Sequence, residues 1–323
     1  MDEFNGSDEY DGDFADHRFR EILQEAVGEK RAPSSLDHLP KVYRLVSLSS
    51  QNGAERHVLY TASIFHEKVE FQVSWVARAP DARLKAGELV SPRWSKKASF
   101  LNGVIMIDHL VPLDRPHSKM NIFQTVPDGW VEDRGLIARA AELVDAMPME
   151  YRHLFNAIFW DGERFHRFCT LQLYKYGHHA EVEGCLRHAV ESAEFMREAG
   201  KGVLDANEAF CILLGLLHDA GKAGEYYCSR EGKWEPTNRG KLLWHKAIIL
   251  DWISEARARW NPMITPDHYT ELLHCLVSSS HFPEWMGAKE PQMPEARLLL
   301  GMERPSGMEE LLRRTAMNNK WIE

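Results

Sequence analysis

What the 323-residue sequence lacks narrows it first. No apolar run approaches the ~20 residues that a bilayer-spanning helix needs. The first residues are acidic, without a basic stretch leading into an apolar one, so no secretory leader is expected. Cysteine is scarce. Cys169, Cys185, Cys211, Cys228 and Cys275 are odd in number and lack CxxC spacing. They make neither a disulfide framework nor a zinc knuckle, and read as reduced thiols of a cytoplasmic protein. There is no internal repeat. Lys and Arg are missing from residues 1–16, which hold seven acidic side chains and so account for most of the formal net charge of -9. Such a tail reads as a solvated leader, or as an acidic arm that competes with nucleic acid for a basic groove.

The rest is an ordinary globular balance, 44% hydrophobic and 27% charged, with apolar material for two cores. Residues 17–31 suggest a short helix, with Phe19, Ile22, Leu23 and Ala26 on one face, broken by Ala32-Pro33. Segments 41–49, 57–65, 69–79, 88–94 and 99–111 are rich in Val, Ile, Tyr, Phe and Trp and are divided by turn signals. Phe71, Val73 and Trp75 alternate with Glu70, Gln72 and Ser74, which is strand periodicity, and their shared face reads as barrel core. Five short strands in so few residues suit a small β-barrel. Leu84-Lys85-Ala86-Gly87-Glu88-Leu89-Val90 resembles the turn-into-strand step of OB-folds, and Asn102-Gly103 would close a later hairpin. Residues 41–116 carry a net charge of about +4, which permits phosphate contacts. Trp94, beside Arg93, Lys96 and Lys97, is the candidate for stacking on a base.

From about residue 120 the pattern turns helical, with candidate helices at 134–147, 149–160, 179–199, 207–219, 240–260, 266–279 and 293–315. Histidine, sixteen in all, is the main chemical clue. In Leu213-Leu214-Gly215-Leu216-Leu217-His218-Asp219-Ala220-Gly221-Lys222 an apolar helix ends in two polar side chains and a glycine stop. Burying His-Asp without partners is costly, and a divalent metal would satisfy both. Imidazole with carboxylate suits Mn, Fe, Ni or Zn rather than Ca. Lys222 would set a positive charge on a substrate phosphate. His188, His245, His274 and His281 lie on or beside neighbouring helices as further candidate ligands, and the set suggests a two-metal phosphodiester site.

These segments carry a resemblance. His178-His179-Ala180 through Gly184-Cys185-Leu186-Arg187-His188 resembles the "HHAYxGGLLEHT" motif of HD-domain 3′–5′ exoribonucleases of the YhaM type. Leu217-His218-Asp219-Ala220-Gly221-Lys222 is similar to their "LHDIGK", and Thr237-Asn238-Arg239-Gly240-Lys241-Leu242-Leu243-Trp244-His245 to "TxxGxLLGH". Ser280-His281 resembles the start of "SHHG", and Pro294-Glu295-Ala296 matches "PEA". That family also places an OB-fold before its HD domain, so the likeness covers roughly residues 40–310. It implies His188, His218, Asp219 and His245 as metal ligands, Asp219 as the bridge between two ions, and His281 as a ligand of the second. Lys222 matches the phosphate-contacting lysine. Three positions depart from the pattern: Glu303 stands where a terminal Asp ligand belongs, His281 is followed by Phe282-Pro283, and Glu183-Gly184 replaces a Gly pair.

The expectation is therefore an α+β multidomain protein: an acidic tail and short helix (1–38), an OB-fold-like barrel (39–116) and an all-helical HD domain (117–323). Its chemistry would be metal-dependent phosphodiester hydrolysis, with Asp219 and Lys222 at the reacting centre. Manganese is the first candidate cofactor and single-stranded RNA or DNA the expected partner. Competing readings are a conjugative-relaxase-like nuclease, a nucleotide phosphohydrolase, and a nucleic-acid-binding module with a degenerate site.

Overall fold

The structure, a computed structural model, describes residues 39–52, 57–101, 103–172, 183–278 and 288–302, with the backbone alone for 96–101. The expected helix at 17–31 and the expected ligands His281 and Glu303 lie outside the described residues. The chain divides into two units. One holds the strands up to Leu113 together with Thr125–Pro127, and the other holds Asp114–Gln124 and everything from Asp128 onward.

The first unit is built from β1 (Tyr43–Asn52), β2 (Val58–His66), β3 (Val69–Ala77), β4 (Leu89–Leu101) and β5 (Val104–Pro112). Their order is β1-β2-β3-β5-β4, and β4 pairs back onto β1 through Tyr43↔Val90 and Arg44↔Leu89, so the sheet closes on itself. All pairings are antiparallel except β3 with β5, which is parallel from Gln72↔Val104. Alternation explains the core: Tyr60, Ala62 and Ile64 on β2 and Phe71, Val73 and Trp75 on β3 all point inward. Tyr60 and Trp75 are direct cross-strand partners, and their rings stack at 4.9 Å. The sequence suggested two strands at 88–94 and 99–111. Instead β4 runs unbroken through Ser95, with register shifts on either side of Trp94, while the hairpin closes between Leu101 and Val104, at the expected Asn102-Gly103. Bulges absorb the extra residues inside the ladder, so the polar stretch after Trp94 is strand rather than turn.

The second unit is mostly helical: α1 (Arg134–Ala146), α2 (Met149–Ile158), α3 (Gly162–Thr170), α4 (Gly184–Lys201), α5 (Glu208–Leu217), α6 (Lys222–Glu225), α7 (Asn238–Leu242), α8 (His245–Trp260) and α9 (Pro266–Val277). Residues 294–302 are also helical. Side-chain caps start several of these. Asp133, Asp161, Asn207, Thr237 and Thr265 each accept a backbone amide three residues on. The structure differs from the sequence reading at three places. The helix expected at 149–160 does end before Asp161-Gly162, but the same pair opens α3, an element the sequence did not mark, with Asp161 as its cap. A two-stranded ribbon, β6 (Tyr226–Cys228) with β7 (Trp234–Pro236), interrupts a region expected to be all-helical. The single helix expected at 240–260 is two, α7 and α8, parted at Leu243-Trp244. No helix among the described residues is long and apolar enough to cross a membrane.

Candidate metal centre

The site grows from α5, whose residues from Phe210 to Leu217 are all buried. A helix apolar on every side must run through the core. Its end therefore delivers His218 and Asp219 into the interior, where His218 is only 3% exposed. Gly215 lets α4 cross closely: a Cβ there would lie 2.4 Å from the Ala193 Cα. That crossing brings His188, on α4, against His218, with their Nε2 atoms 3.1 Å apart. Gly221 plays the same part for α8. A Cβ on it would meet the His245 carbonyl at 2.0 Å, so only glycine allows His245 to approach Asp219.

His218 Nδ1 lies 2.8 Å from the Gly215 carbonyl. Only a protonated Nδ1 suits that acceptor, which fixes the tautomer and makes Nε2 the electron-pair donor facing the cluster. Asp219 presents its two oxygens to different partners. Oδ2 is 3.1 Å from His188 Nε2, 3.7 Å from His218 Nε2 and 2.5 Å from Lys222 Nζ. Oδ1 is 3.2 Å from His245 Nε2. Glu225, at the end of α6, faces the other side of that imidazole, 3.4 Å from His245 Nδ1.

The electrostatics follow from the crowding. Burial would raise the Asp219 carboxyl, but His218, the hydrogen bonds of His188 and His245, and the Lys222 ammonium hold it well below the usual carboxylate range. Burial works against the charge on Lys222, and Asp219 more than offsets it, so its pKa moves up. His245 rises to about 9: burial lowers it, and the hydrogen bonds to Asp219 and Glu225 outweigh that. Nearby Cys185 is pushed up to about 12 by burial and offers no thiolate.

His188, His218 and Asp219 can hold a metal ion, their donor atoms all lying within 4.8 Å of one another. The fit is geometric. Ligands at about 2.1 Å from one ion sit about 3.0–3.5 Å apart on neighbouring corners, and the three donor separations here are 3.1, 3.1 and 3.7 Å. Two imidazoles and a carboxylate oxygen, with no sulfur, suit a borderline ion of the first transition row. Asp219 Oδ1 and His245 form a second flank on the opposite side of the same carboxylate, the disposition that a bridging carboxylate requires.

Of the residues singled out in the sequence, His188, His218, Asp219, Lys222 and His245 thus converge. His274 does not join them: its Nε2 accepts the Gln292 amide at 3.0 Å. Trp94 is partly buried and packs edge-on against Phe71 and Tyr43, at 5.6 and 6.4 Å, so its ring belongs to the barrel wall. Arg93 is exposed on β4; Lys96 and Lys97 lie on the same strand, with their side chains outside the description. Glu225 was missed. In sequence it is one more acidic residue before a ribbon, and only the tertiary fold sets it against His245. Glu183 explains one departure from the resembled motif. It adopts φ 70°, a conformation glycine favours, and its carboxylate accepts the Glu132 amide at 2.6 Å, which helps offset a strain of about 1–2 kcal/mol. No family model, no curated protein and no solved structure matches the chain.

Proposed function

We propose that the chain is an HD-type metal-dependent phosphohydrolase that cleaves phosphodiester bonds in single-stranded RNA or DNA, trimming from the 3′ end. The observation that carries this reading is the convergence of His188, His218 and Asp219 Oδ2 to separations that one ion can bridge, with Asp219 Oδ1 turned toward His245. His188, His218 and Asp219 would hold one ion, and Asp219 with His245 a second, with His281 and Glu303 as the remaining candidate ligands. Manganese is the first candidate, with Fe, Ni and Zn as alternatives. A divalent ion supplies Lewis acidity toward a phosphoryl oxygen and acidifies water.

The protein's own groups do the rest. Asp219, kept ionised by its neighbours, stays a ligand rather than a proton donor at neutral pH. Lys222 keeps its positive charge beside the cluster and stabilises negative charge that builds on the phosphate. Glu225 fixes the His245 ring so that Nε2 faces Asp219. The strand order β1-β2-β3-β5-β4, with parallel β3–β5 pairing, supports an OB-fold for the first unit, a platform suited to single strands. The described cysteines are all free, and all but Cys228 are buried, in keeping with a reducing compartment.

The test is hydrolysis of oligonucleotides labelled at the 3′ or the 5′ end, with Mn²⁺ and with EDTA. Stepwise release of 3′ nucleotides, dependent on Mn²⁺ and stopped by EDTA, is expected. Cleavage at a single internal site in DNA would replace this reading with a relaxase-like one. Hydrolysis of mononucleotides alone would make the enzyme a nucleotide phosphohydrolase. Binding without metal or cleavage would leave a degenerate module.

A further inference from the structure

The junction between α7 and α8 shows three consecutive apolar side chains to solvent. Leu242 is 82% exposed, Leu243 43% and Trp244 79%. Apolar groups scattered singly over a surface need no explanation, but a run of three ending in the most costly of them to leave wet does. The run stops at His245, whose Nε2 lies 3.2 Å from Asp219 Oδ1. The Trp244 and His245 ring centroids are 6.3 Å apart and their planes nearly perpendicular. An indole thus stands at the rim of the metal cluster, within the reach of one nucleotide.

The backbone under this indole is fixed. The Trp244 carbonyl accepts the amides of Ala247 and Ile248, and the next carbonyl, that of His245, is pressed against Gly221. The side chain is an aromatic anchor on a rigid base with its surface in water. Along this segment of the chain the charge has one sign. Between Asn238 and Lys246 the chain carries Arg239, Lys241 and Lys246 and no acidic residue. Arg239 pairs with Asp251 at 2.7 Å, and the Lys241 side chain is exposed. An apolar aromatic face among cations, one residue from a phosphate-directed site, complements a nucleobase carried on a phosphodiester backbone. A purely apolar partner would gain nothing from the cations.

We infer that Trp244 is a base-stacking platform that receives the nucleobase next to the scissile phosphate, with Leu242 and Leu243 shielding the stack and Lys241 drawing in the backbone. This deepens the proposed function and rests on it. It makes Trp244 a specificity-determining residue that selects substrates with a base at the terminal nucleotide.

The experiment uses the full Mn²⁺-loaded chain, with 5′-labelled oligo(U) and the same oligomer ending in an abasic nucleotide. Wild type, Trp244→Ala and Trp244→Phe are compared for KM and kcat, with metal content by elemental analysis. Loss of one base stack should raise KM for oligo(U) about tenfold in Trp244→Ala. Trp244→Phe should recover most of that loss. The abasic oligomer should show the raised KM already in wild type and gain nothing further from the substitution. Metal content should be the same in all three proteins, which separates a lost stack from a damaged cluster. Equal KM values for wild type and Trp244→Ala, with wild type active, would overturn the platform and leave the proposed function standing. A metal-loaded wild type that cleaves no oligonucleotide would overturn the proposed function itself. Trp244→Ala converting a dimer into a monomer, with KM unchanged, would assign the indole to a second copy of this chain.

Discussion

The two units treat their aromatic and polar residues in opposite ways. In the strand unit, aromatics are spent inward: Tyr60 on Trp75, Tyr43 on Phe71, and even the partly exposed Trp94 on Phe71. Buried polar groups there find partners within the unit, as when the Ser74 hydroxyl donates to the Tyr60 carbonyl at 2.7 Å and the buried Arg44 guanidinium donates to the Gly87 carbonyl and the Thr125 hydroxyl. In the helical unit the relation is reversed around the site. Histidines, a carboxylate and a lysine converge at the end of an apolar helix, and an indole is left in water at the rim. A scaffold minimises uncompensated polarity inside and apolar surface outside, and departures from both rules in one place mark where the molecule meets something else. The departures cluster around His245, so the helical unit is where the proposed chemistry is placed.

The largest expected break comes from Asp219→Ala. The carboxylate joins both flanks of the cluster, and no neighbouring side chain can replace both oxygens. Metal content and hydrolysis should fall together, beyond the ~100-fold that losing an outer partner of a ligand typically costs. A metal-replete, fully active variant would place the site elsewhere. Next comes Glu225→Gln, which keeps the shape but removes the charge facing His245 Nδ1. Metal affinity should drop about 10–100-fold, while the melting temperature of the metal-free protein changes far less than for a core substitution. Unchanged Mn²⁺ affinity by titration calorimetry would show that Glu225 does not orient the ring.

Much of this contrast is legible in the sequence, and the failures share a cause. The apolar run into His218-Asp219 announces its burial by composition alone, and β3 announces its inward face by alternation. Asp161-Gly162 marks the end of α2 as expected, but the same pair also opens α3, and only the amide of Arg164 reveals the second role. The parting of α7 from α8 at Leu243-Trp244 has no proline or glycine to mark it, and the glycines whose backbone packs closely on either side, Gly240 against Glu225 and Gly221 against His245, are partnered only in the folded chain. Glu225 and Trp94 have sequence neighbourhoods that fit either role, and tertiary packing chose. Site residues were legible where a buried position needed a polar group, and illegible where a surface position acquired a partner.

A smaller effect sharpens the comparison of the two indoles. Trp94→Ala removes a partly buried ring that packs on Phe71 and Tyr43, so it should lower stability by about 1–3 kcal/mol. Trp244→Ala removes an exposed ring and should stay within about 0.5 kcal/mol of wild type. Denaturant melts of both variants read this directly. Equal losses would mean that Trp244 is part of the core and that the contrast between the units is false.

The last test uses one histidine of each unit, His66 and His245, whose shifts have opposite signs. His66, at the end of β2, is buried, and burial with the Lys68 ammonium beside it lowers its pKa to about 4. Its Nδ1 accepts the Lys68 amide at 3.3 Å, which only the neutral ring can do. In the unfolded chain the same imidazole titrates near ~6.5. Between those values the unfolded state binds the proton and the native state does not, so stability rises with pH across that window. Acidification from about pH 6.5 toward 4 should therefore weaken the strand unit through His66. His66→Gln, which cannot titrate, should flatten that part of the curve. The check is the melting temperature at a series of pH values from 4 to 7, followed by near-ultraviolet circular dichroism, where the stacked Tyr60 and Trp75 report on the barrel. A pH slope identical in wild type and His66→Gln would show that the imidazole is solvated in the native state.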